Sequence, residues 1–255
     1  MRRTIVSLAL GLSGVLVLAT GCASVDTGPD PVPVSTRSTP SPESTPAQDE
    51  LVAALRRIQA APYKFTVKSN LPENSSVSAT GAFDPVAKLF QATTTITGGT
   101  SAGTLQRIVV GTNSYQRQSS REPWVHLDLS RVKKDDSLVY FDMTDPTGLA
   151  KFITKIATVE QPDPHTYQGY FDPYGSGANF LPIGAPSLWS IGGGNAPFTA
   201  TTDEQGRVSQ IRIVLEPSNG TTLTMTTTLS DQGKPLQVKA PAKANVREAD
   251  PMYYK

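Results

Sequence analysis

Reactive side chains are scarce in this sequence. Its 255 residues hold one cysteine, Cys22, and two histidines, His126 and His165. One thiol excludes a disulfide scaffold, and so few ligands exclude a Cys/His zinc site. Neither histidine lies near a Gly-x-Ser-x-Gly elbow, and His-Glu-x-x-His is missing. Charge of one sign is lacking as well: 23 Lys and Arg face 22 Asp and Glu, a formal net charge of +1. A nucleic-acid binder shows a basic excess, so that class is set aside. Aromatic residues make up only 7% of the chain. The apolar run from Ile5 to Thr20 falls short of the ~20 residues that cross a bilayer core. The sequence therefore predicts a protein with no catalytic residues, no metal and no cofactor.

Proline and glycine, by contrast, are plentiful, and the prolines begin early. Met1-Arg2-Arg3 followed by that short apolar run and then small residues reads as a secretory signal. It ends in Leu18-Ala19-Thr20-Gly21-Cys22, which resembles a bacterial lipobox, the signal whose cysteine receives a diacylglyceryl group. Residues 1–21 are then a lipoprotein signal peptide, and Cys22 is the lipid-attachment site, holding the protein on the extracytoplasmic side of the cell membrane. Removing Arg2 and Arg3 leaves 21 basic residues against 22 acidic ones. Residues 22–48 are rich in Ser, Thr and Pro. They cannot bury enough apolar area to offset chain entropy, so they read as a disordered tether. At ~3.1 Å per residue, 26 extended residues reach roughly 80 Å.

The folded domain is expected over 49–245, with 246–255 as a C-terminal tail. Leu51, Ala54, Leu55 and Ile58 recur on one helical face, which Pro62 ends. Period-two segments follow: Tyr63 to Lys68, Val77 to Phe83, Leu89 to Thr97, Leu105 to Val110, Ser114 to Gln118 and Trp124 to Leu129. Asp145-Pro146 offers an N-cap and a first-turn proline for a second helix carrying Leu149, Phe152, Ile153 and Ile156. Further strands are expected at His165 to Phe171, Phe198 to Thr202, Val208 to Leu215, Thr222 to Leu229 and Pro235 to Lys239. Gly81-Ala82-Phe83-Asp84-Pro85 is echoed by Gly169-Tyr170-Phe171-Asp172-Pro173. The echo reads equally as an internal duplication or as a recurrent strand-ending turn. The fold class is α+β: a strongly curved antiparallel sheet, a half-barrel, with helices covering its concave face.

This order of parts resembles the mycobacterial LppX/LprAFG lipoprotein family. Asp145-Pro146-Thr147-Gly148-Leu149-Ala150 is close to the run that opens that family's central helix. Val109-Val110-Gly111-Thr112-Asn113-Ser114-Tyr115 with Trp124 is similar to one of its hairpins. Gly206-Arg207-Val208 and Leu229-Ser230-Asp231-Gln232-Gly233-Lys234-Pro235 fit its ending. The resemblance covers most of 49–241 and implies a LolA/LppX-like half-barrel around a hydrophobic cavity. It further implies a carrier of multi-acylated lipids or glycolipids in the cell envelope, with a membrane transporter as partner and no nucleic acid. A monomer is expected. The alternative is a non-enzymatic sensor or partner-binding module of the RseB kind, without lipid cargo.

Carriage has a physical basis. An acyl chain of about 14 methylenes costs roughly 11 kcal/mol to place in water, so a carrier needs apolar walls and no catalyst. Candidate walls are Val67, Leu149, Phe152, Ile153, Ile156, Phe180, Leu181, Trp189, Ile211, Ile213, Leu215 and Met225. Lys133-Lys134-Asp135-Asp136 reads as a solvated turn, or else a contact with anionic head groups. Asp84 and Asp172 read as turn residues.

Overall fold

The computed structural model describes residues 44–100, 102–132, 141–173, 194–216 and 222–254. The signal segment, Cys22 and most of the tether lie outside them, as do Lys133 to Asp136 and three expected wall residues, Phe180, Leu181 and Trp189.

The first helix, α1 (Pro46–Gln59), begins three residues before the expected Asp49. Thr45 explains the early start. Its hydroxyl accepts the Gln48 N–H at 3.2 Å, and Pro46 supplies a preset φ in the first turn. Asp49 in the first turn and Arg56 and Arg57 in the last complement the helix dipole. Leu51, Leu55 and Ile58 are 0–1% exposed, a burial that contributes about 1.5–3 kcal/mol each.

Six strands follow: β1 (Tyr63–Leu71), β2 (Ser75–Asp84), β3 (Leu89–Thr97), β4 (Gly103–Val110), β5 (Asn113–Arg117) and β6 (Trp124–Asp128). The second helix, α2 (Leu149–Lys155), has only seven residues and starts later than Asp145 predicts. Asp145 still caps it from a distance, accepting the Ala150 and Lys151 N–H groups at 3.0 Å each. Five more strands complete the second half: β7 (Ile156–Asp163), β8 (Thr166–Phe171), β9 (Ala196–Thr202), β10 (Val208–Leu215) and β11 (Leu223–Ser230). The segment set apart as a tail contributes β12 (Val246–Glu248) and a 3-10 turn over Pro251–Tyr254. The segment at Pro235 to Lys239 forms no strand.

All twelve strands join one sheet in the order β12-β6-β5-β4-β3-β2-β1-β11-β10-β9-β8-β7. Every neighbouring pair is antiparallel except β12 with β6, which is parallel. The sheet does not close, with β12 and β7 as its edges. Successive twists of about 20–25° per strand coil so wide a sheet, in keeping with an open half-barrel.

Both halves have one plan: a helix, then a meander. The halves meet where β1 pairs with β11, Phe65 opposite Leu229. Because β1 to β6 and β7 to β11 run the same way along the sheet, the second half is displaced from the first rather than mirrored. The repeated Gly-x-Phe-Asp-Pro run falls on the second strand of each half. In both copies the glycine sits opposite a phenylalanine, Gly81 facing Phe65 and Gly169 facing Phe198. A β-carbon on Gly81 would lie 2.6 Å from the Gln91 carbonyl, and one on Gly169 would strike the Thr158 carbonyl. The partners are not equivalent, since Phe65 lies on the strand before Gly81 and Phe198 on the strand after Gly169, so the echo fits a recurrent strand-ending turn as well as a duplication.

Candidate functional site

Alternation along the strands separates two faces with different chemistry. The inner face carries Tyr63, Phe65 and Val67 of β1, and Phe83, Phe90, Val109, Tyr167, Phe198 and Ile211 from the other strands, all buried. Both helices pack on this face. Phe152 of α2 meets Phe171 and Phe198 edge-on with ring centres 5.1 and 5.2 Å away. Tyr63 bonds Thr147 at 2.8 Å in the interior, and burial raises its phenol well above the usual range. Burial also pushes Tyr167 up to about 12, with Glu50 adding to the shift.

The structure brings nine expected wall residues together on this face. Val67, Leu149, Phe152, Ile153, Ile156, Ile211, Ile213, Leu215 and Met225 belong to one packed cluster, and none is more than 8% exposed. They touch one another and the rest of the core, as structural residues do.

The same face is less fully covered over β3 to β5. Leu105 is 40% exposed, and Thr94, Ile96 and Gln116 are half-buried. Here the sequence reading missed a residue. Arg107 projects among apolar neighbours, its guanidinium carbon 4.3 Å from the centre of the Phe141 ring. One terminal nitrogen donates to Gln116 Oε1 at 3.1 Å, while the buried Nε has no partner among the described residues. Burial lowers its pKa. The sequence did carry a signal: Arg107 interrupts an inner-face register, opposite Ala92, where the pattern asks for an apolar residue.

The outer face is a carpet of hydroxyls and carboxamides. Thr166, Thr201, Gln210, Thr228, Thr66, Thr80, Thr93, Gln106 and Arg117 stand directly opposite one another, strand by strand, in one transverse row. A second row runs through Gln168, Thr199, Arg212, Thr226, Lys68, Ser78, Thr95 and Thr104. At β7 each row ends on a carboxylate, Asp163 opposite Thr166 and Glu160 opposite Gln168, whereas from β8 to β5 neither row holds one. Two clefts indent this face. One of about 440 Å³ spans β1 to β4, between Lys64 and Trp124; the other, of about 460 Å³, lies over β7 to β10, with Tyr170, Glu160 and Arg212 at its sides.

The histidines lie apart from both helices. His126 places Nδ1 2.8 Å from Glu248 Oε1 and Nε2 2.9 Å from Asn113 Oδ1, and its ring lies on Tyr115. It thereby fastens β12 to the sheet. His165 approaches Thr202 Oγ1 only at 3.5 Å. Asp84 accepts the Val86 and Ala87 N–H groups, as a turn residue does. Among the described residues no cluster of three or more His, Cys, Asp or Glu is placed to hold a metal, and no helix is long and apolar enough to cross a membrane.

No family model and no curated protein matches the chain. Solved structures do resemble it. An uncharacterized conserved protein from Thermus thermophilus aligns over 80% of this chain and 100% of its own, at 11% identity and a TM-score of 0.43. The LolA superfamily protein NE2245 from Nitrosomonas europaea aligns over 76% of this chain and 96% of its own, at 11% identity and a TM-score of 0.25. MucB, in its complex with MucA(peri), aligns over 78% of this chain and 58% of its own, at 11% identity and a TM-score of 0.26.

Proposed function

We propose that this chain is a lipoprotein, anchored through Cys22 on the extracytoplasmic side of the cell membrane, that binds an acylated lipid or glycolipid and carries it within the envelope. It performs no catalysis. The observation that supports this reading is the mismatch between sheet and cover. Twelve strands at about 4.8 Å span close to 58 Å, whereas two helices about 10 Å across shield far less. On the inner face α1 packs against β7 and β10, and Phe152 of α2 meets Phe171 of β8 and Phe198 of β9. The stretch over β3 to β5 offers Ile96 and Leu105 to an acyl chain. Beside them Arg107 holds a buried N–H, without a partner among the described residues, for an acidic group at the chain's end. In this reading the nine packed residues are the foundation of the site, and the binding wall is shifted toward β3 to β5.

The test is native mass spectrometry of residues 42–255, the compact unit that keeps the Thr45 cap, purified gently from the native host. A co-purified lipid, displaced by a fluorescent fatty acid whose binding weakens in Leu105→Asp and Arg107→Gln, is the expected result. A ligand-free spectrum with no probe binding overturns the proposal.

The closed packing of the nine core residues favours a second reading, a partner-binding module without cargo. Capture of one defined membrane protein by the lipid-free form would establish it.

A further inference from the structure

We propose that the outer-face cleft over β1 to β4 is a binding site for a neutral oligosaccharide, separate from the inner-face site and independent of it. The cleft holds about 440 Å³, within the ~300–1,000 Å³ of ordinary ligand sites. Its polar groups are Thr66, Thr80, Gln91, Thr93 and Gln106, and its apolar surface comes from Ala82, Ile108 and Trp124.

Three observations select the ligand class. First, the polar groups are available. Thr66, Thr80, Thr93 and Gln91 make no side-chain hydrogen bond with the described residues, although Thr95 and Thr104 in the next row bond each other at 3.2 Å. Second, free charge is wanting. No carboxylate lines the cleft, and Lys64 at its rim is held by Asp231 at 2.8 Å. Arg117 beside it is committed, stacked 4.4 Å from the Trp124 ring centre and donating to Gln106 Oε1 and the Ser120 carbonyl. Arg107, which also borders the cleft, belongs to the inner-face register, its guanidinium lying on the Phe141 ring and bonded to Gln116, so on the outer side an anionic guest finds no unpaired cation among the described residues. Third, the donors and acceptors repeat. Thr66, Thr80, Thr93 and Gln106 stand on adjacent strands, about 4.8 Å apart. An extended glycan repeats its hydroxyls at about that spacing and alternates them with apolar C–H faces. A ladder of neutral hydroxyls and amides beside Ile108 and Trp124 matches both properties.

The experiment uses the full-length chain, in a detergent without a sugar head group, titrated with chitohexaose, cellohexaose and maltohexaose. The protein has two tryptophans, so Trp189→Phe leaves Trp124 as the sole reporter. Saturable change in its fluorescence with at least one probe is expected. The affinity falls about tenfold in Thr80→Val/Thr93→Val, which removes two hydroxyls while keeping shape and strand propensity. Gln91→Leu, made separately, weakens the same probe, and Thr226→Val outside the cleft leaves it unchanged. Circular dichroism melts confirm that each variant folds. The proposal is overturned if no probe binds at millimolar concentration, or if binding survives both cleft variants. Binding to heparin alone that salt abolishes, or self-association blocked by the cleft variants without sugar binding, also overturns it. Fatty-acid binding, measured on the same samples, reports the inner face separately.

Discussion

Individual residues govern how closely strands pack and how the protein responds to acid. Gly81 allows the Phe65 ring to lie across its backbone, with a β-carbon there 2.8 Å from Phe65 Cε1 and 2.6 Å from the Gln91 carbonyl. Gly81→Ala must move a strand or expel a core ring, so it is expected to cost about 3 kcal/mol in urea unfolding. Asp231 works by charge. Lys234 and Lys64, at 2.6 and 2.8 Å, hold its carboxyl down to about 2. Its folded pKa lies below the unfolded one. The pair's contribution is therefore present above about pH 4 and is lost as the pH falls through 2. The melting-temperature gap between the wild type and Asp231→Asn should narrow steadily from pH 5 to pH 2. A gap that stays constant contradicts this assignment.

At the scale of elements, the ends of the sheet carry the most information. β12 lies parallel on β6, and the Ala249 N–H donates to the His126 carbonyl at 2.8 Å. Beyond it, Tyr254 packs under Arg131, and its hydroxyl accepts the Asp128 N–H. Deleting residues 246–255 uncovers the β6 edge, and exposed edges pair with other chains. Size-exclusion chromatography should show concentration-dependent oligomers and calorimetry a lower melting temperature. Asp145→Ala, which frees two N–H groups at the start of α2, is expected to cost about 1 kcal/mol. Sequence periodicity located β3 and β10 to the residue, because Leu89–Thr97 and Val208–Leu215 are bounded by clear breaks. It missed β7, which continues from α2 without a turn and has only Ile156 and Val159 buried. It read a strand at Pro235 to Lys239, yet β11 is already flanked by β1 and β10 and leaves no edge for one.

For the whole molecule, the open antiparallel sheet and its apolar inner face were legible because alternation reports which side is buried. The site was less so. Burial at Val67, Phe152 or Ile213 looks the same in a sequence whether a neighbour or a guest covers it, and only packing shows the neighbour. The outer rows were hidden for another reason: register across distant strands, such as Thr228 beside Thr66, is a property of topology. That topology also predicts folding kinetics. Strands more than 150 residues apart in sequence must pair at the seam, Lys64 with Ser230 among them. Refolding from urea should therefore take milliseconds to seconds or longer, with Thr66→Gly at the seam mainly accelerating unfolding if that pairing forms late.

The seam has a consequence for the chain's birth. A nascent polypeptide can zip up its first meander early, but the far border of β1 stays unsatisfied until Leu223–Ser230 emerges. At about 5–20 residues per second that wait lasts on the order of ten seconds. Throughout it a Tyr- and Phe-bearing strand offers a sticky rim to any passing β-segment. During that interval the chain is more open to wrong strand pairing than its modest size suggests.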